Sequence, residues 1–370
     1  MRFSYKGDWS KRKLNEICLF FKGNGLSKSD LSNEGFPCIL YGELYTTYKN
    51  EVISDIISKT NTILSNPFLS RNNDLIIPGS GENPIDTAVA RAIYQNDIIL
   101  GGDLNILRPK SNVSAAFLSY QLNGVRRYDI AKKAQGKSIV HLHNSDLKEV
   151  LVSIPTYDEQ LHIVELLTKI DEMMDAQIKI IDTLSSQKKQ IRNLLFKDIH
   201  KNANCCIQDY VIYEQPQKYI VHSTDYLSYG KDYTPVLTAN QSFILGYTLE
   251  KDGIYEKGDC IIFDDFTNEN KYVDFPFKVK SSALKILQTK EGLMLKFFYE
   301  YLQFLNFEST DHKRHYLSEV AVTDISVPNL KEQTFVCKIF TSFDNKLRNE
   351  KALLEKYRLQ KQFLLNNLFI

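Results

Sequence analysis

No run of 18 apolar residues occurs in this chain of 370 residues, so a membrane-spanning helix is excluded on length. The opening Met1-Arg2-Phe3-Ser4-Tyr5-Lys6 leads into polar sequence without an apolar core, so no secretory leader is expected and a cytoplasmic location follows. Charge of one sign is scarce as well. Lys and Arg total 46 against 45 Asp and Glu, a net charge of +1, so any nucleic-acid contact must come from local patches. The six cysteines (Cys18, Cys38, Cys205, Cys206, Cys260, Cys337) form no CxxC pair and have no His at zinc-ligand spacing. Free thiols in a reducing compartment are expected, with no metal. The most consequential shortage is of helix breakers. No Pro occurs between Pro155 and Pro216, no Gly between Pro155 and Gly230, and neither residue occurs after Pro328.

These two tracts are copies of one segment. Ser145–Phe196 lies over Ser318–Phe369 at a constant offset of 173 residues without a gap, and twelve of 52 positions are identical. Ser153, Pro155, Glu159, Gln160, Asp171, Gln187, Lys188, Leu195 and Phe196 recur as Ser326, Pro328, Glu332, Gln333, Asp344, Gln360, Lys361, Leu368 and Phe369. A seven-residue frame places Ile163, Leu167, Ile170, Met174, Gln177, Ile181, Leu184, Lys188, Ile191 and Leu195 on one stripe of the first copy. The same frame gives Val336, Phe340, Phe343, Leu347, Glu350, Leu354, Tyr357, Lys361, Leu364 and Leu368 in the second. Eight of ten positions in each are apolar or aromatic, and the polar breaks match. That pattern predicts two long helices paired as a coiled coil, with the polar breaks fixing register. The duplication implies two similar halves related by an approximate two-fold, and therefore antiparallel helices.

The segments ahead of the helices diverge but share an outline. Pro37–Tyr41 and Pro235–Thr238 are β-prone, and Asp74–Ile77 and Asp259–Ile262 are strands led by an Asp. Strands are also predicted at Leu104–Leu107 and Leu284–Leu287, and helices at Phe117–Leu122 and Phe297–Leu302. The expected architecture is α/β (α+β). Residues 1–154 form one mixed domain, 155–200 the first long helix, 201–327 a second domain and 328–370 the second long helix.

Several motifs imitate enzymes. Ala131 with Gly136-Lys137-Ser138 matches a relaxed phosphate loop, but Ile139–His143 alternates like a strand where a helix is required. Phe21-Lys22-Gly23-Asn24-Gly25 has the FxGxG spacing of an adenine methyltransferase, yet the only approach to its Asn-Pro-Pro-Tyr loop is Asn66-Pro67-Phe68. No nuclease-like carboxylate and Lys arrangement is present, and the His pairs His141/His143 and His312/His315 read as solvent or phosphate contacts. No catalytic residue and no cofactor is therefore assigned to this chain.

Evidence for DNA contact is local. Asn123–His143 holds Arg126, Arg127, Lys132, Lys133 and Lys137 against Asp129, and His312–Tyr316 supplies Lys313 and Arg314. Such clusters neutralise phosphates. Reading bases requires side chains with paired donors and acceptors. The polar loops offer Arg71, Asn72, Asn73, Ser80, Glu82 and Asn83 in the first domain, and Asn240, Gln241, Asn268, Asn270 and Lys271 in the second.

The order of domain, helix, domain, helix, with Ile154-Pro155-Thr156-Tyr157-Asp158-Glu159-Gln160 and Val327-Pro328-Asn329-Leu330-Lys331-Glu332-Gln333 opening the helices, resembles the specificity subunit of a Type I restriction–modification system. Gly7-Asp8-Trp9 with Leu14 and Ile17, and Gly136-Lys137-Ser138-Ile139, look like that family too. The second half has Ser309-Thr310-Asp311 where the first has Gly136-Lys137-Ser138, so a role for that tripeptide does not transfer. The resemblance implies a non-catalytic subunit that reads a bipartite, asymmetric site in double-stranded DNA. It also implies two methyltransferase subunits and motor-nuclease subunits as partners, with S-adenosylmethionine, ATP and Mg2+ bound by those partners. The competing readings are a stand-alone adenine DNA methyltransferase and a structural coiled-coil scaffold.

Overall fold

The computed structural model describes residues 8–230, 232–239, 242–307 and 314–369. Contacts divide it into two units, Met1–Lys179 with Ala352–Ile370, and Ile180–Lys351. Four helices carry the argument: α1 (Ala115–Asn123), α2 (Tyr157–His200), α3 (Leu295–Leu305) and α4 (Leu330–Asn367). No described helix is long and apolar enough to cross a membrane.

In the first unit, β1 (Cys18–Lys22), β2 (Asp74–Pro78), β3 (Arg91–Ile93) and β4 (Leu104–Pro109) form a sheet in the order β1-β4-β2-β3, with Val52–Ile53 at its edge. β4 is antiparallel to both neighbours, with Leu107 opposite Phe20 on one side and Leu75 on the other. All five residues of β2 are buried, so its sequence is a continuous apolar run and not an alternation. The Asp that leads it is tied down by Arg108, whose Nε and a terminal nitrogen each lie 2.8 Å from the carboxylate. A second, four-stranded sheet contains Phe36–Ile39 and Ser58–Thr60. Ser10–Lys13 pairs antiparallel with Leu151–Ile154, the strand immediately before α2.

The second unit repeats this plan in its own residues. β5 (Val211–Glu214), β6 (Cys260–Asp264), β7 (Asn270–Val273) and β8 (Leu284–Thr289) are ordered β5-β8-β6-β7, and Cys205–Cys206 pairs with Asp324–Ile325 ahead of α4. Each predicted strand and helix is present to within two or three residues at its ends.

Every position of the predicted seam is buried or half-buried. At their ends, however, the helices do not form a free-standing coiled coil. In the first unit Ile163, Leu167 and Ile170 of α2, Leu364 of α4 and Leu368 just past its end share one core with Leu107, Phe117 and Tyr120. In the second, Val336 and Phe340 share a core with Phe196, Phe297 and Tyr301, and Ile191 and Leu195 pack against it. The start of one long helix thus meets the end of the other inside each unit, which makes the pair antiparallel there. The duplicated phenylalanines act as plugs. Phe369 lies 5.3 Å from Phe117 and 6.4 Å from Trp9, while Phe196 lies 5.2 Å from Phe297 and 4.9 Å from Tyr301, ring centre to ring centre. Burying such a ring contributes roughly 1.5–3 kcal/mol, with about 0.5–1.5 kcal/mol more from each aromatic pair.

Candidate nucleic-acid interface

The duplicated polar residues clamp each globular body to the helices. Gln160 accepts from the Ser114 amide at 2.9 Å and donates to the Asn112 and Pro155 carbonyls. Gln333 accepts from the Met294 amide at 2.7 Å and donates to the Gly292 and Pro328 carbonyls. Ser114 and Met294 are the residues capping α1 and α3, so one amide side chain orients the start of a long helix against the start of a domain helix. Both glutamines are fully buried, where an unmade hydrogen bond costs about 1–3 kcal/mol.

The polar seam residues exchange partners between copies. In the first unit Lys361 of α4 lies 2.6 Å from both Asp171 of α2 and Glu51, and Asp171 accepts from the Tyr120 hydroxyl at 2.7 Å. In the second, Lys188 of α2 lies 2.6 Å from Asp344 of α4 and 3.0 Å from Glu300, which also meets Arg192 and Lys296. The two sites differ electrostatically. Burial, followed by the nearby Glu51 charge, pushes the Asp171 carboxyl up to about 6 in spite of Lys361. Burial acts the same way on Asp344, but Lys188 and Lys296 together hold it below its ordinary value.

The candidate DNA-contacting residues fall into distinct groups. Three are engaged elsewhere. Asn73, in a left-handed backbone conformation (φ 69°), accepts from the Ala115 amide and donates to the Val113 carbonyl. Asn83 caps the helical turn Pro84–Thr87. Ser80 is buried and bonded to the His141 ring at 3.0 Å. These hydrogen bonds give all three side chains a part in shaping the loops. Arg71, Asn72 and Glu82 remain exposed.

The basic stretch Asn123–His143 is not one surface. Arg126 and Arg127 are half-buried at the start of a short helical turn, Arg127–Ala131, while Lys132 and Lys133 follow its end. Lys137 sits on the exposed tip of a tight loop closed by reciprocal bonds between Gln135 and His141. Strand Val140–His141 pairs with Ser80–Gly81, so no helix starts at Lys137 and the phosphate-loop reading fails on geometry. The same pairing brings the basic tip and the polar loop after β2 together.

A matching juxtaposition occurs in the second unit. The His315 and Tyr316 amides donate to the carbonyl and the carboxylate of Asp265, at the start of the loop after β6. The exposed Arg314 guanidinium stands 5.8 Å from the Phe266 ring. In that loop Asn268 is buried in a left-handed conformation (φ 58°), Asn270 accepts from Gln303 at 2.7 Å, and Lys271 is half-buried in β7. Asn240, Gln241, His312 and Lys313 lie outside the described residues.

Sequence reasoning missed Lys49, Arg91 and Arg358, which converge with Arg127 and Lys361 in the first unit from separate parts of the chain. It also missed the one group of described residues with metal-ligand potential, His222, Glu250 and Asp252. There the Lys278 ammonium, 2.6 Å from Glu250, already supplies the countercharge.

Residues 6–186 match the model of the Type I restriction modification DNA specificity domain. That segment, just under half of the chain, is similar to the DNA specificity domain of Type I restriction–modification systems. The chain is 48% identical over 123 residues to the EcoR124I/EcoR124II specificity subunit of Escherichia coli, a match covering 31% of this chain and 30% of that protein. It is 23% identical over 205 residues to the putative MjaX specificity subunit of Methanocaldococcus jannaschii, covering 51% and 45%. The matches therefore span less than half the length of these curated relatives. The fold extends further than the sequence likeness. The S subunit of a type I system from M. genitalium superposes with a TM-score of 0.66 at 18% identity, covering 100% of this chain and 98% of that one. A chain from a structure of type I R-M complex assembly and conformational transition gives 0.52 at 12% identity, covering 98% of each.

Proposed function

We propose that this chain is the non-catalytic DNA sequence-recognition subunit of a Type I restriction–modification complex, with residues 1–154 and 201–327 each reading one half of a bipartite, asymmetric site. The duplicated segments 155–200 and 328–370 contain the two long helices α2 (Tyr157–His200) and α4 (Leu330–Asn367). The observation that carries this reading is the recurrence, in both units, of a polar loop after the central strand tied to a basic or aromatic segment: Ser80 with His141, and Asp265 with His315 and Tyr316. Hydrogen bonds that fix such loops leave the neighbouring exposed residues, Lys137 and Arg314, preorganised for DNA phosphates.

In this reading two methyltransferase subunits and the motor-nuclease subunits dock on the chain in the cytoplasm. They bring S-adenosylmethionine, ATP and Mg2+, and this chain binds none of these cofactors for catalysis. Mapping adenine methylation in DNA from cells carrying the chain with its methyltransferase partner tests it. A split asymmetric motif that disappears when the chain is deleted is the expected result. Methylation that persists without the chain, or S-adenosylmethionine binding by the purified chain alone, refutes it in favour of a methyltransferase.

A further inference from the structure

A cleft of about 410 Å3 opens in the first unit where the far end of α4 meets the domain, and Lys49, Arg91, Arg127, Arg358, Lys361 and Glu51 line it. Its charges do not balance. Arg91 and Lys361 are buried or nearly so and face two buried carboxylates, Glu51 and Asp171, so these four cancel. Lys49, Arg127 and Arg358 are left over. Among the described residues the Lys49 ammonium bonds to the Tyr45 and Thr46 carbonyls, at 3.3 and 2.7 Å. Arg358 approaches Glu355 at 3.5 Å on exposed surface, a pairing that competes weakly with a stronger anion. Arg127 is the most telling. Among the described residues its enclosed Nε has no hydrogen-bond partner, and a terminal nitrogen reaches the Ile85 carbonyl at 3.4 Å.

We propose that this cleft is a phosphate-binding site, with Arg127 and Arg358 as its guanidinium clamps and Lys49 as a third positive charge. Planar guanidinium groups meet phosphate oxygens through paired hydrogen bonds, and the recorded contacts of the Arg127 and Arg358 terminal nitrogens are long, 3.4 and 3.5 Å, and readily exchanged for a phosphate. The amide deepest in the cleft, Asn123, is already bonded to the Ala90 backbone and to Glu51, so the cleft's contribution is charge, which gives affinity and orientation and not sequence choice. Two sources present the same chemistry, the backbone of bound duplex DNA and a free polyphosphate. The first source rests on the DNA-recognition reading and the second does not.

The test uses the full chain carrying Arg127→Gln and Arg358→Gln, with Trp9 fluorescence as the check that the unit is folded. In complex with the methyltransferase subunit, affinity for a cognate and an unrelated duplex of equal length is measured from 50 to 200 mM salt. Loss of two phosphate contacts lowers the slope of log affinity against log salt by about 1.8, so the wild type loses roughly twelvefold more affinity than the variant over that range. The change is the same on both duplexes and the methylated motif keeps its bases. In parallel, sodium tripolyphosphate is titrated into the full chain without DNA. A flattened salt slope identifies DNA as the source. Tripolyphosphate binding that the variant loses, with the slope intact, identifies a free polyphosphate. Both quantities unchanged overturns the proposal, and so does an effect confined to assembly with the methyltransferase subunit. If the wild-type complex shows no preference for any sequence, the DNA-recognition reading fails while the tripolyphosphate titration still decides the cleft.

Discussion

Replacing Lys361 by Met probes the buried charge site of the first unit, because this single ammonium serves two carboxylates. The side chains of Lys361, Glu51 and Asp171 are 12%, 7% and 5% exposed, so the substitution strands two acids with little access to water. Breaking a buried pair in this way costs about 3–5 kcal/mol. The cost depends on pH in a defined direction. The folded-state carboxyl of Asp171 titrates near 6, above the unfolded value of about 3.9. A group raised on folding contributes stability that is full below the unfolded value and is lost as pH climbs through the folded one. Removing Lys361 takes away a charge that lowers this carboxyl, so in the variant the window extends above 6. The variant is therefore least damaged in acid. We expect a loss of about 3–5 kcal/mol at pH 7.5, smaller at pH 5 by roughly 1–2 kcal/mol. Trp9, the one tryptophan of the chain, packs edge-to-face with Phe369 just past the end of α4 and reports on this unit in urea unfolding. Adding Asp171→Asn to Lys361→Met recovers about 1 kcal/mol or more at pH 7.5, because one stranded charge is gone. An equal loss at both pH values, with no recovery in the double variant, refutes the reasoning.

Phe369→Ala empties the plug between Trp9 and Phe117, and the first unit loses about 3–5 kcal/mol in the same urea assay. Gln333→Leu strands the Met294 amide, costing the second unit about 1–3 kcal/mol by far-ultraviolet circular dichroism while the Trp9 transition stays in place. Leu194, Phe335 and Phe363 are 71%, 62% and 54% exposed on the long helices, so the chain expressed alone aggregates. Co-expression with its methyltransferase subunit yields a soluble complex of two such subunits per chain by gel filtration and light scattering. A monodisperse lone chain that ignores the subunit contradicts this.

The long helices were legible because two independent signals agreed, the missing Gly and Pro and the matched heptads. The strands were legible because Asp74–Pro78 and Cys260–Asp264 are apolar on both faces. Residues off the seam were less secure. Leu166 has a surface-like place in the heptad, yet it packs against the first unit's core, because the helix end is sunk into the domain. The roles of the duplicated Gln and Lys were hidden, since their partners, Ser114, Met294, Glu51 and Glu300, lie in the divergent segments. Asn73, Asn83 and Ser80 looked like free hydrogen-bonding groups because a cap or a buried cross-strand bond leaves no mark distinguishable from an open loop. The cleft cations Lys49, Arg91 and Arg358 form no local pattern at all. Folding brings them together.

The central claim is that two domains read two half-sites independently, and exchanging one domain tests it most directly. The segment from about Trp9 to Val152 is replaced by its equivalent from a relative of different specificity, and methylated adenines are mapped in DNA from cells carrying the hybrid and its methyltransferase partner. The account predicts that one half of the methylated motif changes to that of the donor while the other half stays the same. A hybrid that is active but alters both halves, or neither, contradicts it.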